Sequence, residues 1–557
     1  MNTGMEPSPA LLPIELMLKN AQEVPDQLWL RQPLAGGEKQ WTWKQAAEEV
    51  RRLATAIAGF GFAPGARIAI SGRNTAHWFL ADMAIAMAGH VSVGLYPKQA
   101  ASNTRYILAH CDAQAVFVGP ADDAEVLMSS LPAGVTTIAM PYPGIPECEL
   151  SWDSLIQHPP LADNYRRPAA DSLVTLVYTS GTTGHPKGVM ITVANLLFSA
   201  PALLQWFPAG RHERLLSYLP LAHLLERMTV EFASLAWQAE VCFLSDLDKL
   251  AEELQQIAPS RFIGVPLVYG RIQAGILAVK SEKRLRRILG VPVFGQFVRR
   301  KILKKIGLQN ARTCLATAAP TPVSTIRFFR EILGIEILEG YGMTENTAYL
   351  SAGLPGQACP GTVGKPFADA GVRIADDGEI QCRHAGCSPG YYKDEARTAE
   401  LYTEDGYLRT GDKGSVDADG YLRITGRVKD IFKTAKGKYV SPAPIENALA
   451  RNSAIDQLCL VGMHLTQPIM VASLSDTSRH KHPGDIESGL LEDMAAVNAQ
   501  LEPHERMAKI LITKDQWLPD NGFMTPTMKV KRAVVEERYR QAIFSAIADR
   551  DRQIVWL

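Results

Sequence analysis

Leu176 to Met190 read "LVYTSGTTGHPKGVM": an apolar run breaks into Thr179, Ser180, Gly181, Thr182, Thr183 and Gly184, and Lys187 stands just beyond. The residues before the break, "SLVTLVY", are apolar almost without interruption, which predicts a strand buried on both faces of a sheet. A loop leaving the carboxyl end of such a strand lies where open α/β sheets bind ligands. Glycines there let main-chain amides approach an anion, hydroxyls donate to phosphate oxygens, and Lys187 supplies charge. The loop is therefore expected to hold phosphate groups. It is not a P-loop of the NTPase kind, because Pro186 precedes the lysine where glycine is required and Gly188 follows where Ser or Thr is required. A Gly- and Thr-rich loop alone would read as ordinary surface, and the ordered Pro186 and Lys187 set this one apart.

Around this loop, short β-branched runs alternate with helical patterns: "ARIAIS", "TAHWFLADMAIAMAG", "VSVGLY", "NTRYILAHC" and "QAVFVG". That alternation predicts βαβ units and a largely parallel sheet. "RFIGVPLVYGRI" and "IEILEGYG" read as further buried strands feeding loops, and no fixed-period repeat is present. Near Asp417 the texture changes to short strands around an Asp-Gly turn, followed by a helix from Pro444, a strand at "QLCLVGM", a helix from Leu490 to Leu501 and the strand "AKILIT". The expected fold is α/β, with a large multi-layer domain of parallel sheets flanked by helices over 1–426 and a small mobile α+β domain over 427–557.

The 557 residues are too many for one core, and 58 basic against 58 acidic side chains leave no overall field toward nucleic acid or anionic membrane. Eight cysteines without framework spacing suit a reducing, cytoplasmic setting. Cys382, His384 and Cys387 are three candidate metal ligands, but no second pair lies near them in sequence, so they read as packing and loop residues. The first residues lack a basic start and a long apolar core, as an export signal would need. The most apolar window, "WFLADMAIAMAGHVSVGLYP", is broken by Asp82 and His90, so a buried helix and strand are expected rather than a membrane span.

The phosphate loop resembles that of the adenylate-forming superfamily, which contains acyl-CoA synthetases, luciferases and peptide-synthetase adenylation domains. The resemblance continues in order through "SYLPLAHLLER" (217–227), "TAAPTP" (317–322), "LEGYGMTE" (338–345), "GYLRTGDKG" (406–414), "GRVKDIFKTAKGKYVSPAPIENAL" (426–449) and "TPTMKVKR" (525–532). Three of these stretches are most similar to the long-chain fatty acyl-CoA synthetase branch. The resemblance implies a two-step reaction using ATP, Mg²⁺ and coenzyme A: a fatty acid carboxylate attacks the α-phosphorus to give acyl-AMP and pyrophosphate, then a thiol takes the acyl group.

It further implies that the Thr179 to Lys187 loop holds the β- and γ-phosphates, that Thr344 donates to the α-phosphate, and that Glu345 holds Mg²⁺. Ala318, Ala319 and Pro320 would border adenine, and within Gly340, Tyr341 and Gly342 the tyrosine would offer the base a flat face. Asp412 would accept both ribose hydroxyls, with Arg427 as a second nucleotide contact. His223 matches a position at the acyl and nucleotide pocket, and a core histidine is its equally plain alternative. His223, Glu226 and Arg227 are spaced to share one helical face, with Arg227 a candidate ion-pair partner of Glu226. Lys529 matches the catalytic lysine, Lys429 the hinge, and Lys433 and Gly437 a loop that faces the site in the thioester-forming state.

Leu267, Gly94 and Val193 depart from the usual long-chain pattern, where arginine, proline and an aromatic or histidine are common, and this leaves the acyl class open. The segment Lys280 to Lys305 carries ten Lys or Arg and one acid, Glu282, around "ILGVPVFGQFV". Such a patch suits peripheral contact with the inner face of a membrane, or a solvated basic hairpin. Beside a CoA ligase, two readings stay open: a ligase that passes acyl-AMP to a carrier-protein thiol, and a nucleotide-binding protein without turnover.

Overall fold

The computed structural model describes residues 10–122, 124–161, 165–179, 185–208, 210, 212–450, 452, 454–476, 478–518, 521–525, 529–549 and 552–557. Ser180 to Gly184 of the phosphate loop lie outside the described residues.

The architecture is α/β, with several sheets flanked by helices. The largest is seven-stranded, in the order Leu150–Ser151, Thr136–Ala139, Ala113–Val118, Arg67–Ser71, Val91–Leu95, Leu173–Thr179 and Lys187–Thr192. All its pairings are parallel except the last. Leu173–Thr179 is the strand expected before the phosphate loop, and residues 175–178 of it are buried. The loop then joins it to an antiparallel return strand, which pairs Thr179 with Lys187. Hairpin pairing thus fixes the lysine backbone directly opposite the residue that opens the loop.

A second sheet takes Arg261–Gly264, Thr313–Ala316 and Ile337–Tyr341 in parallel and adds two short antiparallel strands. "RFIGVPLVYGRI" is only in part a strand: Pro266 starts a helix that runs to Val279, because proline suits a first helical turn. A third sheet orders Arg214–Ser217, Glu240–Phe243, Leu28–Leu34 and Gly37–Thr42. An antiparallel sheet of Arg373–Ile374, Glu379–Cys382, Leu408–Val416 and Leu422–Arg427 carries the turn at Asp417 to Gly420. Residues from Phe432 onward build two hydrophobic clusters of their own around the strands Ile455–Val461, Ile469–Leu474, Lys509–Thr513 and Ile554–Trp556.

The apolar window at Trp78 to Pro97 is a buried helix, Ala76–Met87, and the strand Val91–Leu95. Asp82 within it faces Arg227, whose Nη2 donates to Oδ2 at 2.6 Å. Arg227 also donates from Nη1 to Thr175 Oγ1 at 2.8 Å and from Nε to Glu231 at 3.3 Å, while its own exposure is 2%. Against the cost of burial, Asp82 and Glu231 hold the guanidinium charged. Burial, and then the Asp82 charge, push the Glu231 carboxyl well above its usual range. The expectation of one helical face for His223, Glu226 and Arg227 is corrected here. His223 caps a short turn, Leu224–Glu226, and from Arg227 to Phe232 the chain winds as a π-helix. The wider winding sends Arg227 to Asp82 and Glu231, away from Glu226.

Removing one member of a buried ion pair strands the other charge. Asp82→Ala is expected to lower the unfolding free energy by about 3–5 kcal/mol in urea titration, and an unchanged midpoint would refute this anchoring role.

Candidate active site

Five of the expected segments converge on one cleft. Lys187 lies with Nζ 4.6 Å from the Tyr391 ring centroid, and the Tyr391 hydroxyl donates to Glu345 Oε1 at 2.9 Å. One aromatic ring thereby joins the phosphate-loop lysine to the carboxylate expected to hold a metal ion. Burial lowers the Lys187 ammonium from its usual value, Arg397 and Lys429 add to this, and Glu345 opposes it. Tyr391 is a site residue that the sequence reading missed. Its contacts depend on the pairing of Val189 with Tyr391, which no spacing in the chain announces.

Glu345 sits in a single 3₁₀ turn, Thr344–Asn346, and its carbonyl accepts the Ser388 amide at 2.8 Å. Thr347 and Ala348 follow at φ of 53° and 58°, and Ala318 in the "TAAP" segment has φ of 71°. Non-glycine residues in this region carry strain, and such strain clusters at functional sites. Gly342 has a different reason: a Cβ there would lie 2.6 Å from the Ala348 carbonyl carbon, so only glycine lets the two turns approach. Gly340 and Tyr341 end the strand Ile337–Tyr341 beside them. Ala319 and Pro320 follow Ala318 at the carboxyl end of Thr313–Ala316, where Thr317 donates its amide to the Gly264 carbonyl at 3.2 Å.

Asp412 stands on the strand Leu408–Val416. The Tyr341 hydroxyl donates to its Oδ2 at 2.6 Å and Arg427 Nε to its Oδ1 at 3.0 Å. Strand pairing sets Asp412 directly opposite Arg427. Burial, and then the Asp412 charge, push the Tyr341 phenol well above its usual range, so it stays a donor.

Lys529 comes from the far end of the chain. Thr525 holds its backbone: the Thr525 amide donates to the Lys529 carbonyl at 2.8 Å and the Lys529 amide donates to Thr525 Oγ1 at 3.1 Å. Its ammonium is lowered first by the protein packed around it and then by Arg427, while Asp412 and Glu345 act to raise it. Lys529 nevertheless keeps an exposed surface, and Arg427 is 49% exposed. Because both side chains keep exposed surface, solvent moderates their desolvation.

His223 faces the same lysine. Burial and the Lys529 charge lower its imidazole to about 4. Nδ1 accepts the Leu225 amide at 3.1 Å, so the neutral ring carries its proton on Nε2. Glu226 does not face it: Oε1 accepts Ser217 Oγ at 2.9 Å and the Tyr218 amide at 3.0 Å, holding the chain that leads to His223. Gly94 lies against that same chain, since a Cβ would meet Ala222 Cα at 2.8 Å. Val193 is a core residue, 1% exposed, and Leu267 is half-buried on the helix after Arg261–Gly264.

Lys433 and Gly437 do not join this group. They are exposed on the hairpin of Phe432–Lys433 and Tyr439–Val440, where Gly437 makes the turn at φ of 74°. Lys429, exposed, precedes that hairpin.

Known proteins share the fold of this chain. The model of the AMP-binding enzyme family matches residues 18–392, and that of the AMP-binding enzyme C-terminal domain matches 429–551. The long-chain-fatty-acid–CoA ligase FadD15 of Mycobacterium bovis is 29% identical over 95% of this chain and 96% of its own. Human long-chain-fatty-acid–CoA ligase 1 is 28% identical over 90% of this chain and 81% of its own. Among solved structures, the A domain of carboxylic acid reductase from Segniliparus rugosus, in complex with AMP and a co-purified carboxylic acid, superposes with a TM-score of 0.80 at 18% identity. It covers 97% of this chain and 95% of that one.

Burial pushes the Glu226 carboxyl up to about 8, against hydrogen bonds from Ser217 and Tyr218 that lower it. Between the ordinary carboxyl value near 4.5 and about 8, the folded chain keeps a proton that the unfolded chain has released. Stability should therefore fall as pH rises through that window. Glu226→Gln is expected to flatten this part of the profile in urea titrations, and an unaltered slope would show that Glu226 is already ionised.

Proposed function

The chain belongs to the AMP-binding enzyme family, and on that premise we propose that it is a Mg²⁺- and ATP-dependent fatty acid–CoA ligase working through acyl-AMP. The observation that carries this reading is the meeting of Lys187, Glu345, Asp412, His223 and Lys529, from separate parts of the chain, around one hydrated cleft. Binding a nucleotide without turnover would not require a lysine delivered from the last part of the chain. The names of the similar ligases support a long-chain acid as substrate.

The first half-reaction brings a carboxylate to a polyphosphate, so its barrier is dominated by repulsion between anions, and fixed donors lower it. The loop from Thr179 to Lys187 binds the β- and γ-phosphates. Lys529 and Thr344 meet the α-phosphate, where Lys529 offsets the charge that builds as the carboxylate attacks. The Nε2 proton of neutral His223 orients an oxygen of the same group. Asp412 exchanges its Tyr341 and Arg427 partners for the two ribose hydroxyls, and the Tyr341 ring then lies under adenine, bordered by Ala318 to Pro320.

Mg²⁺ fits this site: the Glu345 carboxylate, which takes a hydrogen bond from Tyr391, is a hard-oxygen donor of the kind that ion takes. Glu345 would hold it, and it would add charge neutralisation to the bound phosphates.

For the thiol half-reaction, the unit 427–557 turns about Lys429, withdraws Lys529 and brings the now exposed Lys433 and Gly437 to the cleft. Transfer to a carrier-protein thiol instead of CoA is the rival outcome. The ligase works in the cytoplasm and draws its substrate from a membrane surface. No helix among the described residues is long and apolar enough to cross a membrane. The helices Glu282–Leu289 and Phe294–Lys305 expose Lys283, Arg284, Arg287, Arg300 and Lys304 around a tip where Val293 is 80% and Phe294 55% exposed. Exposed apolar tips within a basic field suit an anionic bilayer.

Pyrophosphate release should depend on ATP, a fatty acid of preferred length and CoA, and should fall about 10²–10³-fold in Lys529→Ala. A single equivalent that CoA cannot turn over would support the carrier-protein rival, and no release with any acid from acetate to stearate or benzoate would overturn the ligase. Separately, the protein should sediment with anionic vesicles at low salt, less at high salt, and weakly as Phe294→Ser/Phe297→Ser. Binding that ignores both salt and these changes would exclude this surface.

A further inference from the structure

The antiparallel sheet that carries Asp412 also ends in a turn whose side chains the ligase reading does not use. Cys382 closes the strand Glu379–Cys382, and after the turn His384 to Cys387 the second thiol comes back over the first. The ligand atoms of Cys382, His384 and Cys387 all lie within 4.8 Å of one another. Residues that read in the sequence as packing and loop residues are thus brought side by side by the fold. Cys382 is fully buried, whereas Cys387 keeps a partly open surface.

A bound metal ion is the less suitable reading of this cluster. His384 Nδ1 accepts the Gly386 amide at 3.1 Å, so the neutral ring carries its proton on Nε2 and neither nitrogen has a free lone pair for a metal. The two thiols remain as the reactive pair.

The turn is tied at three points to the segment bearing Glu345. Asn346 Nδ2 donates to Cys382 Sγ at 3.8 Å, Thr347 Oγ1 donates to the Gly386 carbonyl at 2.6 Å, and the Ser388 amide donates to the Glu345 carbonyl at 2.8 Å. From the other side, Asn195 Nδ2 holds the carbonyls of Ala385 at 3.0 Å and Cys387 at 2.9 Å. Any change in the distance between the sulfurs is therefore felt at Glu345.

We propose that Cys382 and Cys387 form a reversible disulfide in response to hydrogen peroxide, and that its closure displaces the Glu345 segment and slows adenylation. The Cys387 sulfur, as thiolate, attacks one peroxide oxygen; the O–O bond breaks, and the leaving hydroxide takes a proton to become water. The Cys382 sulfur then attacks the sulfur of the resulting sulfenic acid, forms the S–S bond and releases a second water. Two thiols and one peroxide thus give one disulfide and two waters, and an external dithiol reverses the exchange.

The two sulfurs divide these roles. The Cys382 thiol hydrogen-bonded to it, and His384 beside it, lower the Cys387 thiol from its usual range against the effect of burial. That same hydrogen bond, together with burial, pushes Cys382 well above the usual thiol range. The more accessible sulfur is thus the attacking one and the buried sulfur resolves it. Bond formation requires about 2.05 Å between sulfurs, so the turn must close and pull on its three ties.

The role in adenylation rests on the proposed ligase activity; disulfide formation does not. Trypsin cuts after Arg383, between the two cysteines, so a disulfide keeps the two peptides joined under non-reducing conditions. The full chain would be treated with hydrogen peroxide, mapped in this way, and assayed in parallel for pyrophosphate release before and after dithiothreitol. Joined peptides and a fall in release of about tenfold, both reversed by dithiothreitol, are the expected result. Cys387→Ser and Cys382→Ser should keep the untreated activity and lose both responses. Sulfinic acid at Cys387 without joined peptides would overturn the disulfide, and joined peptides with unchanged release would overturn the control of adenylation. An untreated enzyme without release would refute the ligase reading, while the peptide map would still decide the disulfide.

Discussion

The buried Arg227 cation organises this molecule. Arg227 reaches Asp82 on the helix that covers the large sheet, Thr175 on the strand leading to the phosphate loop, and Glu231 on its own π-turn. A charge at 2% exposure persists only when it is paired and hydrogen-bonded, so these contacts must all form together. His223 caps the short turn Leu224–Glu226 that leads into this π-turn, which ties the imidazole to the phosphate-loop strand. An acidic residue inside an otherwise apolar helix is thereby explained by its partner, 145 residues away.

Around that anchor the site joins turns to strands that carry Lys187, Tyr341 and Asp412. The strained turns at Ala318 and at Thr347 and Ala348, and the close approach at Gly342, bring main-chain groups nearer than helices or strands would. Each turn is backed by a sheet strand, which resists relaxation of the strain. Tyr391 then couples the hairpin that bears Lys187 to the turn that bears Glu345. The result is a set of donors and acceptors held in place before any substrate arrives, the kind of preorganised charge that lowers reaction barriers.

The charges at the cleft are arranged for exchange. Arg427 occupies Asp412 at 3.0 Å and Lys529 stands where Arg427, Asp412 and Glu345 all act on it. Two cations beside two carboxylates in water leave no large net field, yet an incoming anion meets cations on every side. Lys529 is held on its own unit by hydrogen bonds between its backbone and Thr525. Lys433 and Gly437 are exposed on a separate hairpin of that unit.

Much of this was legible in the chain alone. The continuous apolar run at Leu173 to Tyr178 announces a buried strand, and the ordered motifs from Thr179 to Lys529 announce the chemistry, because phosphate binding demands glycine, hydroxyl and lysine in local order. Local order could not reveal that the phosphate loop closes an antiparallel hairpin, that Tyr391 lies under Lys187, or that Arg227 turns from Glu226 to Asp82. Nor could it bring Cys382 and Cys387 together with the Glu345 segment. Those pairings join residues far apart in the chain, and they exist only because burying the sheets fixes which side chains must satisfy one another. The sequence by itself determined the fold class and the chemical vocabulary of the site; the tertiary structure decided which charges meet, since only packing determines where a buried charge finds its partner.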